Sequence, residues 1–73
     1  MIELNAGDTV YYELSDELYS VTLTSVDDPT VIYGGWTGEL MPINGSITVE
    51  TAGKFYFSLG KENITVRAWV VRA

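Results

Sequence analysis

The sequence predicts an all-β domain, a small antiparallel sandwich of Ig-like or jelly-roll-like kind built from seven or eight short strands. Three observations predict it. Apolar and polar residues alternate with period two through most of the chain, the mark of half-buried strands. Gly, Asn, Asp, Ser or Pro clusters recur about every six to ten residues and break the alternation into short runs. No stretch carries the period of an amphipathic helix. A small closed barrel is the alternative, because 73 residues are tight for two full sheets.

The elements follow in order. Met1 to Leu4 reads as a short strand with Ile2 and Leu4 inward, and Asn5-Ala6-Gly7-Asp8 supplies a turn. Thr9 to Leu14 sets Val10, Tyr12 and Leu14 against Thr9, Tyr11 and Glu13. After Ser15-Asp16-Glu17, the stretch Leu18 to Val26 places Tyr19, Val21 and Leu23 on one face and Ser20, Thr22 and Thr24 on the other. Its Thr and Val content suits a pleated sheet better than a helix. Asp27-Asp28-Pro29 ends that strand, since Pro cannot donate to a ladder.

Thr30 to Tyr33 resumes extended structure, and Gly34-Gly35 suggests a two-residue hairpin turn, because glycine takes positive φ at little cost. That turn sets Tyr33 opposite Trp36, with a return strand to Leu40. Met41-Pro42-Ile43 reads as a crossing segment. From Ser46 to Val71 three alternating runs follow, which we read as strands joined by tight hairpins. The sequons Asn44-Gly45-Ser46 and Asn63-Ile64-Thr65 are read as hairpin turns. The expected core is Val10, Tyr12, Val21, Leu23, Ile47, Val49, Phe55, Phe57, Ile64, Val66 and Val70.

Composition narrows the function. Residues 1–73 are expected to form one domain. There is no Cys and no His, which removes disulfides, thiolate metal sites and the commonest general base. The usual nucleophile–base triads therefore cannot be assembled. Lys54 and Lys61 sit at strand starts or turns, where solvation keeps them poor bases. The ten acids have little room for a cleft between hairpins. No enzymatic activity and no cofactor are expected. Calcium is the one metal to weigh, through Asp27-Asp28 and Asp16-Glu17 if these turns converge, but no calcium-loop spacing is present.

A net charge of −6 disfavours nonspecific nucleic-acid binding and docking on anionic lipid. No run is long enough to span a membrane, and no basic region followed by an apolar stretch marks a signal peptide. The charge is uneven: residues 1–39 hold eight acids and no base, residues 40–73 two acids and four bases. This is either ordinary solubility or an acidic flank that meets a basic surface on a neighbour. A domain so small, without disulfides, is expected to gain stability by assembling with itself or docking on a larger body.

Aromatics mark where. Tyr11, Tyr56 and Trp69 fall on the polar phase of their strands, and Arg67 and Val71 share the outward phase with Trp69. Tyr, Trp and Arg are enriched at binding hot spots. Tyr56, Arg67, Trp69 and Val71 are therefore the expected protein-binding residues. Tyr33 and Trp36 are a second candidate contact, for a ligand such as a carbohydrate that stacks on flat aromatic faces. Packing of the same aromatics within the chain is the plainer reading of both groups.

The opening Met1-Ile2-Glu3-Leu4-Asn5-Ala6-Gly7-Asp8-Thr9-Val10 resembles the first strand and turn of small Ig-like modules in tailed-phage virions. Thr51-Ala52-Gly53-Lys54-Phe55-Tyr56-Phe57 is similar to the late strand of many β-sandwich modules. The resemblance covers about twenty residues and is generic. It implies a structural or decorating component of a phage virion, with no catalytic residues to carry over.

Overall fold

The computed structural model describes residues 1–60 and 62–73, and of residues 36–39 the backbone alone. Among these residues seven strands form: β1 (Ile2–Leu4), β2 (Thr9–Leu14), β3 (Leu18–Ser25), β4 (Ile32–Met41), β5 (Asn44–Thr48), β6 (Gly53–Leu59) and β7 (Val66–Val71). They make two antiparallel sheets, one ordered β1-β6-β3-β4 and the other β5-β2-β7. The sheets stack as a sandwich and do not close into a barrel. The four-on-three division matches an Ig-like sandwich in strand number.

Period two decides which side chains meet between the sheets. Leu4, Val10, Tyr12, Leu14, Leu18, Val21, Leu23, Ile47, Val49 and Phe55 are buried there. Each large side chain withdrawn from water contributes roughly 1.5–3 kcal/mol. Tyr12 of β2 meets Phe57 of β6 edge to face across the sandwich, with centroids 6.2 Å apart. Phe57, Ile64, Val66 and Val70, expected in the core, are only partly buried. They lie toward the margins, and Leu4, Leu14 and Leu18 fill the centre in their place.

The C-terminal strands correct the expectation of consecutive hairpins. β5 and β7 both pair with β2, whereas β6 pairs with β1 and β3. Each connection after β5 therefore crosses from one sheet to the other. Val49, just past β5, is wholly buried as the chain makes that crossing. Alternation shows that a strand has a buried face, but it does not choose the strand's neighbours. Of the five strand pairings described, β3–β4 alone joins neighbours in sequence. Asn44-Gly45-Ser46 lies in β5 and not in a turn, while Asn63-Ile64-Thr65 lies in the crossing between β6 and β7, with Asn63 at φ 60°.

Two further differences have local causes. The hairpin expected at Gly34-Gly35 is absent, and β4 runs straight through it, with Gly34 opposite Thr22 and Gly35 opposite Val21. Tyr33 and Trp36 are therefore on one strand and not a cross-strand pair. Gly34 has φ +94°, and a Cβ there would stand 2.6 Å from the Val21 carbonyl oxygen and 3.1 Å from Ile47 Cδ1. Glycine serves here to take a positive φ inside the strand, close against the β3 backbone and Ile47 of the second sheet, not to turn the chain. In β3 the register shifts between Leu18 and Ser20. This irregularity reverses the phase, so Leu18 points inward and Tyr19, expected inward, is exposed.

Asp8 fastens the chain ends. Its carboxylate accepts hydrogen bonds from the Asn5 backbone N–H at 2.8 Å, the Ala73 backbone N–H at 3.0 Å and the Arg72 guanidinium at 2.6 Å. Burial of the carboxylate opposes ionisation, but the donors prevail and hold its pKa at about 2. In the sequence this residue reads only as part of a turn.

Candidate functional site

The outer face of the three-stranded sheet brings most of the expected contact residues together. β2 lies at its centre, so outward residues form rows across all three strands. Thr48, Thr9 and Val71 make one row, Ser46, Tyr11 and Trp69 the next, and Asn44, Glu13 and Arg67 the third. Thr9 and Thr48 join their hydroxyls at 2.8 Å. Tyr11 and Trp69 stack with centroids 6.2 Å apart and planes 11° from parallel. Arg67 and Glu13 approach to 3.8 Å, an exposed ion pair of small energetic weight.

The aromatic pair is half open to solvent, with Tyr11 39% and Trp69 51% exposed. Beside it lies a shallow depression of about 320 Å³ with Glu13, Asn44 and Ser46 on its polar side.

Four residues were expected to form one protein-binding patch, and the structure divides them. Arg67, Trp69 and Val71 lie together on β7 and are exposed. Tyr56 is exposed too, but on β6, on the outer face of the other sheet, where Thr24 lies buried between it and Ile32. It cannot share a contact with Trp69 on one flat surface. Period two places a residue on the outside of its strand but does not say which of two outer faces that is. Tyr11 takes the place of Tyr56 beside Trp69.

Tyr33 is no bare platform. Its hydroxyl bonds the Thr51 hydroxyl at 2.9 Å, and its ring meets Phe55 edge to face at 5.9 Å. The side chain of Trp36 lies outside the described residues, as does Lys61. The acidic turns weighed for calcium sit at opposite ends of β3 and do not converge. Asp28 instead accepts hydrogen bonds from the Thr30 hydroxyl at 2.7 Å and the Thr30 N–H at 3.1 Å, which lower its pKa.

Three of the four bases meet early acids inside the chain, and most of the acidic excess has no base to meet. Arg72 pairs with Asp8, Arg67 with Glu13, and Lys54 stands opposite Glu3 in the β1–β6 ladder. The late strands carry the bases and lie directly against the early strands that carry these acids. No family model, characterised protein or solved structure matches the chain.

Proposed function

We propose that this chain is a non-catalytic structural and interaction module, which assembles with itself or with a larger shell through the outer face of β5-β2-β7. The observation that carries the reading is the Tyr11–Trp69 stack, half exposed next to Arg67 and Val71. Stacking fixes both rings, so little side-chain entropy remains to be lost when a partner covers them. A buried aromatic anchor of this kind contributes about 2 kcal/mol or more to association. The resemblance of the opening strand and turn to virion modules favours a structural or decorating role in a virion as the setting.

Light scattering on the wild type and Trp69→Ala tests this. The variant keeps its β-sheet circular dichroism and needs at least about tenfold more protein to assemble. Oligomers of equal mass for the two at every concentration contradict the reading, and monomers at every concentration contradict self-assembly.

The depression beside the stack supports a second reading, a carbohydrate-binding module. An aromatic wall next to Glu13, Asn44 and Ser46 offers a stacking face together with hydrogen-bonding partners. Oligosaccharides titrated against tryptophan fluorescence then quench the wild type but not Trp69→Ala. Unchanged fluorescence across a panel of sugars removes this alternative.

A further inference from the structure

The edge of β7 carries more than its side chains. β7 pairs with β2 on one side, and no described strand covers the other. The backbone phase of the strand can be read from its start. Ser15 N–H donates to the Thr65 carbonyl at 3.0 Å, and Leu14 N–H donates to the Ile43 carbonyl at 2.6 Å. In an antiparallel ladder, bonded and non-bonded pairs alternate. Odd-numbered residues of β2 therefore bond to β7, and even-numbered ones to β5. On β7 it follows that Arg67, Trp69 and Val71 turn their N–H and C=O groups toward β2. Val66, Ala68 and Val70 turn theirs to the open edge.

The same three residues are on the inward side-chain phase and are incompletely covered. Val66 and Val70 are half-buried and Ala68 is exposed, whereas Val10, Tyr12 and Leu14 beside them on β2 are buried. The sandwich is open along this margin. Nor is the edge guarded by a free charge, the usual defence of an exposed strand. β7 has no acid, its Arg67 faces Glu13, and the next residue, Arg72, is held by Asp8.

We infer that a second copy of this chain pairs with β7 edge to edge, antiparallel, about a two-fold axis through Ala68. This rests on the reading of the exposed β7 row as an interaction surface and names its partner. With Ala68 on the axis, Val66 of one copy stands opposite Val70 of the other. All three residues with open backbone groups then fall in bonded pairs, for about six new main-chain hydrogen bonds. On the outer face, Arg67 stands opposite Trp69 of the second copy in the closer, non-bonded kind of pair, a cation–π contact made twice by symmetry. Neighbouring registers are poorer. An axis at Arg67 sets two guanidinium groups together, and an axis at Trp69 carries Val66 past the end of the strand. The product is one continuous six-stranded sheet.

Sedimentation across rising protein concentration tests the pairing on wild type, Ala68→Pro and Trp69→Ala. Pro removes a donor that faces the open edge, so the monomer loses no ladder bond, and edge strands tolerate Pro. Ala68→Lys, which sets two ammonium groups on the axis without removing a donor, replaces Ala68→Pro if that variant fails to fold. The expected result is a wild-type dimer, a monomer for either Ala68 variant, and dimerisation weakened at least about tenfold in Trp69→Ala. Dimeric Ala68 variants beside a weakened Trp69→Ala overturn the edge pairing but leave the face an interaction surface. A wild type monomeric at millimolar concentration also overturns the pairing, and docking on a different partner then stays open. Equal masses for all the chains as oligomers overturn the pairing and the interaction reading together.

Discussion

The Tyr12 hydroxyl oxygen lies where a side chain on Gly45 would begin: a Cβ there would stand 2.6 Å from it and 2.8 Å from Tyr12 Cζ. The two residues are partners in the β2–β5 ladder, and the ring reaches across the inner face of the sheet over the glycine. Tyr12 is buried and meets Phe57 on its far side, so it cannot swing away freely. Gly45→Ala is expected to destabilise the fold by about 1–3 kcal/mol, the usual cost of overpacking. Urea denaturation measures this. Tyr12→Phe in the same chain removes the nearest atom and should recover part of the loss. An unchanged midpoint in Gly45→Ala would show that the ring moves without cost.

Asp8 makes stability depend on acid. Its folded pKa of about 2 lies below the ordinary value of 3.8, mainly through the Asn5 and Ala73 backbone N–H groups, then Arg72. A depressed carboxylate contributes stability that is complete above the unfolded value and disappears as pH falls through the folded one. The loss should therefore run from about pH 4 down to about pH 2. Asp28, also lowered, acts in the same direction. Asp8→Asn should be less stable at neutral pH and show a shallower acid limb, with the Asp28 contribution remaining. Denaturation midpoints from pH 7 to pH 2 check this, and parallel curves for the two proteins contradict it.

Phe55 and Phe57 are two residues apart on β6 and both point inward, yet they carry unequal weight. Phe55 is 1% exposed, whereas Phe57 is only partly buried at the margin of the core. Phe55→Ala should cost about 3–5 kcal/mol, enough to unfold a domain of this size. Phe57→Ala should cost clearly less and leave a folded protein. Thermal melts of the pair decide, and an equal loss in both would mean that the open margin is filled in solution.

The fold class was legible because each strand announces itself locally. The alternations at Thr9–Leu14 and Gly53–Leu59 hold in the structure, and Pro42 lies where the chain leaves one sheet for the other. Pairing was not legible, because β2 meets β7 more than fifty residues away and no local signal names that partner. Gly34 misled for a related reason. A glycine that takes a positive φ within a strand looks the same in sequence as one that turns a hairpin. For the candidate surface, Arg67, Trp69 and Val71 could be placed outward from their phase alone. Their separation from Tyr56, and the seat of Tyr11 against Trp69, depend on which sheet receives each strand. Asp8 gave no signal beyond its turn, since its partners Arg72 and Ala73 lie at the far end of the sequence.

The central claim, that β7 is the surface through which this protein assembles, is tested most directly by residue-resolved amide hydrogen exchange at low and high protein concentration. The Val66, Ala68 and Val70 amides should exchange freely when dilute and become protected as concentration rises, while the Val10 and Val21 amides stay slow throughout. Exchange at Val66, Ala68 and Val70 that is equally fast at every concentration would contradict it.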